Sequence, residues 1–120
     1  MNTSLMAKNA YASSDAPIRT ASNREYDAFA RITSDLKSAD SFVEKAHALQ
    51  KNRDLWSILA ADLSNAANAL PPALRADILS LAVFTDKHTS KVLKDKAPID
   101  ILIDINTTMM RGLRQQGAPR

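Results

Sequence analysis

A chain of 120 residues with 45% hydrophobic and 24% charged residues has the size and balance of one folded domain, long enough to bury a core without a metal or disulfides. Cysteine is absent, which excludes a disulfide framework, a zinc–cysteine site and a thiol nucleophile; the net charge of +3 permits an acidic partner or RNA but demands neither. The only two glycines, Gly112 and Gly117, lie near the C-terminus, and a β-sandwich would need more glycine in its turns.

Residues 1–21 are small and polar with no sustained period, and they read as a flexible segment ahead of a helical domain over 22–115. The opening MNTSLMAKNAYA lacks the apolar run of a secretory signal, and no stretch approaches the roughly 20 apolar residues of a membrane helix. A cytoplasmic protein without membrane contact is expected. Ser22 with Glu25 three residues on forms a capping box, and Tyr26, Phe29, Ala30, Thr33 and Leu36 follow at helical spacing, which predicts a helix over 22–37.

Asp40 or Ser41 caps a second helix, over 40–66, with Phe42, Ala46, Leu49, Trp56, Ala60 and Leu63 on one face. Arg53 falls inside that face, so either it is paired there or the helix bends near Asn52. The prolines of SNAANALPP end this helix, and Pro71 or Pro72 suits the first turn of the third. That helix runs to about Lys94. Leu74, Ile78, Leu81, Thr85, His88 and Val92 form its main face with Phe84 alongside, while Leu79 and Val83 point the other way.

The last segment, PIDILIDINTTMMRGL, is ambiguous. Ile99, Ile101, Ile103 and Ile105 alternate as in a strand, but no second strand offers a partner. At 100° per residue Asp100, Asp104, Thr107, Thr108 and Arg111 cluster together, which favours a helix whose apolar arc covers roughly 200°, about twice the usual stripe. The expected fold is therefore all-α, a small bundle of about four helices. Leu102, Ile105, Met109 and Leu113 are expected inside it.

No catalytic, cofactor or metal residues emerge. His47 reads as a surface residue and His88 as a hydrogen-bonded core residue. Asp100 and Asp104 could serve acid–base work or bind a cation, but a solvated helix face accounts for them more simply. There is no glycine-rich phosphate loop, no H-E-x-x-H and no nucleophile elbow, so an enzyme is not expected. Lys87, Lys91 and Lys94 share a helix face and could touch phosphates, although no aromatics interleave with them to stack bases. Surplus apolar surface is the stronger signal: Leu79 and Val83 on the back of helix three and the wide arc of helix four suit a partner or self-association. Trp56 is best read as a core anchor. Asn106, in the middle of the apolar arc, either fixes a helix–helix register or binds a partner's backbone.

Three blocks resemble the FlaF family of flagellar biosynthesis regulators of alphaproteobacteria. Asn52, Arg53, Leu55 and Trp56 match its Asn-Arg-x-Leu-Trp element; Leu70, Pro71, Leu74, Arg75, Ile78, Leu81 and Phe84 match its Leu-Pro then Leu-Arg block; Leu102, Ile103, Ile105, Asn106, Gly112 and Leu113 match its closing block. The resemblance starts at Ala10-Tyr11 and covers about 100 residues. It implies a small non-enzymatic protein that binds flagellin as a secretion chaperone and supports flagellin production, opposite a repressing regulator, FlbT. Flagellin's terminal segments, amphipathic and poorly ordered before assembly, would lie in a groove lined by helices three and four. Leu79, Val83, Ile99, Ile103, Asn106 and Met110 are the expected contacts. The alternative is a regulator acting on flagellin message, alone or with FlbT, through Lys87, Lys91 and Lys94.

Overall fold

A computed structural model of the chain describes residues 15–117, with side-chain surroundings from 24 to 114. Four helices follow one another: α1 (Asp15–Ser38), α2 (Phe42–Ser64), α3 (Pro72–Leu93) and α4 (Asp100–Gly117), with no strand among the described residues. Ile101, Ile103 and Ile105 of the last segment thus belong to a helix, and Ile99 stands just before it, its carbonyl accepting from the Ile103 N–H. Most of the segment read as flexible, residues 1–14, lies outside the described residues; α1 already begins at Asp15, so Ser22 sits within the helix rather than at its cap.

The remaining ends follow local chemistry. Ser41 caps α2, its Oγ accepting from the Glu44 N–H at 3.1 Å while the Glu44 carboxylate accepts from the Asp40 N–H at 2.9 Å. Pro71 precedes α3 and Pro72 occupies its first turn, where a missing N–H costs nothing. α3 closes with a Schellman arrangement: Lys96 N–H to Lys91 O at 2.8 Å and Asp95 N–H to Val92 O at 3.0 Å. Asp95 takes the left-handed position, φ 60°, that glycine usually fills and that aspartate tolerates. α2 is one helix through Asn52 and Arg53.

Short connections make neighbouring helices antiparallel. α1 packs on α4 and α2, α2 on α3, and α3 touches α4 least. The cross-links agree: Thr33 meets Asn106 and Tyr26 meets Arg114, while Arg53 meets Ser90 and Asn65 meets Arg75.

The core has two apolar halves. Phe29, Trp56, Leu63, Ile78 and Ala82 form one, with Phe29 and Trp56 edge to face at 5.5 Å. Leu36, Ala48, Leu49, Val92 and Leu102 form the other. Each helix feeds both through residues three or four apart, as in 78-82-85-89-92 of α3 and 102-106-109-113 of α4. Between the halves the same stripes carry polar residues, all buried: Thr33, Asn52, Thr85, Thr89 and Asn106.

Three expected core residues lie instead at the surface. Phe42 opens α2 beyond the end of α1 and is 66% exposed. Leu74 and Phe84 of α3 are 41% and 43% exposed, because that helix has so little of α4 against it.

Candidate functional site

Asn106 occupies the centre of the polar layer. Its Oδ1 accepts from the Trp56 indole N–H at 2.9 Å, and its Nδ2 donates to Asn52 Oδ1 at 2.8 Å and Thr33 Oγ1 at 3.1 Å. One α4 side chain thereby ties α1 and α2 to α4. Asn106 is fully buried, so it is not available as a partner contact. Of the two roles open to it, helix–helix register is the one the geometry supports. Two further polar atoms of this layer, Asn52 Nδ2 and Thr85 Oγ1, have no hydrogen-bond partner among the described residues.

Arg53 is paired, as one of its two alternatives required. Its Nη2 donates to Asp86 O and Ser90 Oγ, each at 2.8 Å, and its Nε lies 3.0 Å from Asp86 Oδ1, an ion-pair distance without hydrogen-bond alignment. Arg75 donates to Asn65 O at 3.3 Å. The two arginines bridge α2 and its connecting loop to α3 at separate points. Between them lies a shallow open cavity of about 390 Å³, lined by Trp56, Ser57, Ala60, Leu79, Ala82 and Val83. Leu79 and Val83 are therefore brought together, but by α2 and α3. α4 does not line this groove, which corrects the expected pairing of helices three and four around those residues.

The α4 contacts separate further. Ile99 and Ile103 are half-buried against the second core half and Met110 against the first. Ile103 and Met110 lie on the flank of α4 that faces α1, where Arg114 donates to the Tyr26 hydroxyl with its guanidinium 5.2 Å from the Tyr26 ring centroid. Leu102 is buried, and Ile105, Met109 and Leu113 are half-buried against the core, as expected.

His88 is a buried core residue whose Nε2 lies at hydrogen-bond distance, 2.9 Å, from Pro98 O, and its ring stacks on Phe84 at 5.2 Å. His47 is exposed. Asp100 and Asp104 are both exposed on α4, and no group of three or more His, Asp or Glu able to hold a metal occurs among the described residues. Lys87, Lys91 and Lys94 are exposed and make no ion pair among the described residues. No helix among them is long and apolar enough to cross a membrane.

Among the described residues Glu25 is the one group whose ionisation the fold clearly perturbs. Burial raises its carboxyl above the ordinary glutamate value of 4.5, the Asp62 carboxylate raises it further, and Arg24 partly offsets both. Between 4.5 and the raised value the folded state holds the proton more firmly than the unfolded chain, so stability falls as pH rises through that window. Glu25→Gln is expected to flatten this decline and to be the more stable form at pH 7, measured as urea midpoints at a series of pH values. A Glu25→Gln profile parallel to the wild type across the window would refute the assignment.

The fold and this surface define a small all-α bundle carrying large apolar side chains that its own core does not use. The family model described as flagellar protein FlaF matches residues 7–113, nearly the whole chain, and the chain belongs to that family. It is accordingly a flagellum-related protein. No curated protein and no solved structure matches it. The motif residues divide between framework and surface. Asn52, Arg53, Trp56, Pro71 and Arg75 build the polar layer, the α2–α3 bridges and the start of α3, and Leu81 and Leu113 pack against the core. Leu74, Phe84 and Gly112 are exposed. Sequence reasoning missed Thr89 and the joint role of Thr33 and Thr85; the signal was their place in the three-and-four spacing of otherwise apolar stripes.

Proposed function

We propose that the protein binds flagellin as a cytoplasmic secretion chaperone and regulator, supporting flagellin production and filament assembly. The observation that carries this reading is the exposure of α3. Its inner stripe is used up in the core, yet Leu74, Val83 and Phe84 are 41, 55 and 43% exposed on its remaining sides. Large apolar side chains left outside the core of a small bundle, these on α3 together with Phe42, Val43 and Ile58 on α2, suit a protein partner, and family membership supplies the flagellar context. Leu79 and Val83 are accessible to such a partner, Ile99, Ile103 and Met110 offer only their outer edges, and Asn106 is withdrawn.

Calorimetric titration of the full chain with cognate flagellin, full-length and truncated at either terminus, is expected to show stoichiometric binding that one truncation abolishes. Absence of binding to a protein with a helical, cooperative unfolding profile would sink the chaperone reading. The second reading, action on flagellin message alone or with FlbT, draws on the exposed Lys87, Lys91 and Lys94. It would be favoured by binding to flagellin leader RNA that falls steeply with salt and disappears on reversing those charges.

A further inference from the structure

We infer that the open seam between α3 and α4 takes one amphipathic helix of the guest as a fifth helix, with guest carboxylates against Lys87 and Lys91; this rests on the flagellin reading above. Two observations orient the seam. On α3 the flank opposite the Arg53–Asp86 bridge carries Leu81, Phe84 and His88, and His88 reaches Pro98 at the start of α4. On α4 the flank opposite the Tyr26–Arg114 contact carries Ile101, Ile105, Thr108 and Gly112. These two flanks face each other, yet α3 and α4 are the least packed neighbours in the bundle.

The seam is apolar and has room. Phe84 is 43% and Ile101 38% exposed, Leu81 and Ile105 supply a half-buried floor, and a Cβ built on Gly112 would meet nothing within 4 Å. From Leu74 to His88 the α3 wall runs about 20 Å, enough for roughly four turns of a docked helix. Among the described residues its one polar tie, His88 to Pro98, lies at one end, whereas the α2–α3 groove is bridged at two separate points. Charge fixes the occupant's chemistry. Lys87 and Lys91 follow Phe84 along the α3 rim, exposed and without an ion pair among the described residues, while Asp77 lies further toward the other end and Asp104 on the α4 rim. The basic α3 rim calls for acidic residues on the guest flank that meets it, not on the flank beside Asp104.

The test is titration of full-length cognate flagellin into the wild type, three seam variants, Val83→Ser in the α2–α3 groove and a control outside both grooves. Gly112→Trp fills the seam from open space. Ile101→Asp places a charge on its exposed α4 wall in the first turn of α4, where a carboxylate favours the helix. Lys87→Glu with Lys91→Glu inverts the rim. Gly112→Trp and Ile101→Asp should each weaken binding at least tenfold with unchanged helicity. The lysine pair should weaken it and flatten its salt dependence, while Ser34→Ala, exposed on α1 and outside both grooves, leaves it unchanged. Wild-type affinity in folded Gly112→Trp and Ile101→Asp, or loss confined to Val83→Ser, overturns the seam while leaving flagellin binding intact. No binding by the wild type overturns both.

Discussion

Asn106→Ala is expected to destabilise the fold by about 3 kcal/mol or more, since each buried polar group left without a partner costs about 1–3 kcal/mol. The substitution orphans two such groups at once, the Trp56 indole N–H and Asn52 Oδ1, and removes the donor to Thr33. Against a total stability of about 5–15 kcal/mol for a domain, that loss is severe. Asn106→Asp should do no better. It keeps the shape and an acceptor for Trp56, but it sets an oxygen against Asn52 Oδ1 and buries a charge. Urea unfolding followed by the fluorescence of Trp56, the only tryptophan, measures both variants. A loss under about 1 kcal/mol for Asn106→Ala would mean that the layer tolerates its own dismantling.

Trp56→Ala should cost about 3–5 kcal/mol, the usual range for truncating a fully packed aromatic. Trp56 is buried, packs edge to face on Phe29 and donates to Asn106. Trp56→Phe separates the packing from the polar contribution. It keeps a packed ring against Phe29 but loses the N–H and part of the indole, so it should cost about 1–3 kcal/mol. Circular dichroism melts of the two variants give the difference. Equal losses would assign the whole effect to the hydrogen bond and none to the cavity. Neither residue is suited to probing partner binding, because a destabilised bundle binds less for reasons unrelated to its surface.

The helices were legible because their ends are written locally. Ser41 and Glu44, the proline pair, and the stripes of α2 and α3 need no knowledge of the rest of the chain. The last segment was harder for a reason the packing explains. Ile101 and Ile105 face toward α3, while Ile99 and Ile103 serve the core and the α1 side. A helix used on two flanks produces alternation that mimics a strand. The polar layer was only half legible. A buried asparagine is chemically identical to a surface one, and only the identity of the groups opposite, Trp56, Asn52 and Thr33, separates register from recognition. The exposure of Phe42, Leu74 and Phe84 depends on how closely neighbouring helices approach, which no single stripe encodes. For the same reason the spacing of Leu79 and Val83 marked a second face on α3 without showing that α2 would form its other wall.

The pairing of α1 with α4 bears on how the protein comes into being. The first and last of the described helices are mutual partners, joined by hydrogen bonds spanning 73 and 88 residues. During synthesis α1, α2 and α3 leave the ribosome before the side chain that links them exists, so Thr33, Asn52 and Trp56 have no Asn106 to meet. Closing such distant contacts is entropically slow, and the apolar inner faces stay open until it happens. The bundle is completed by its final segment, and for that interval the nascent chain is itself a client for whatever shields exposed apolar helices in the cell.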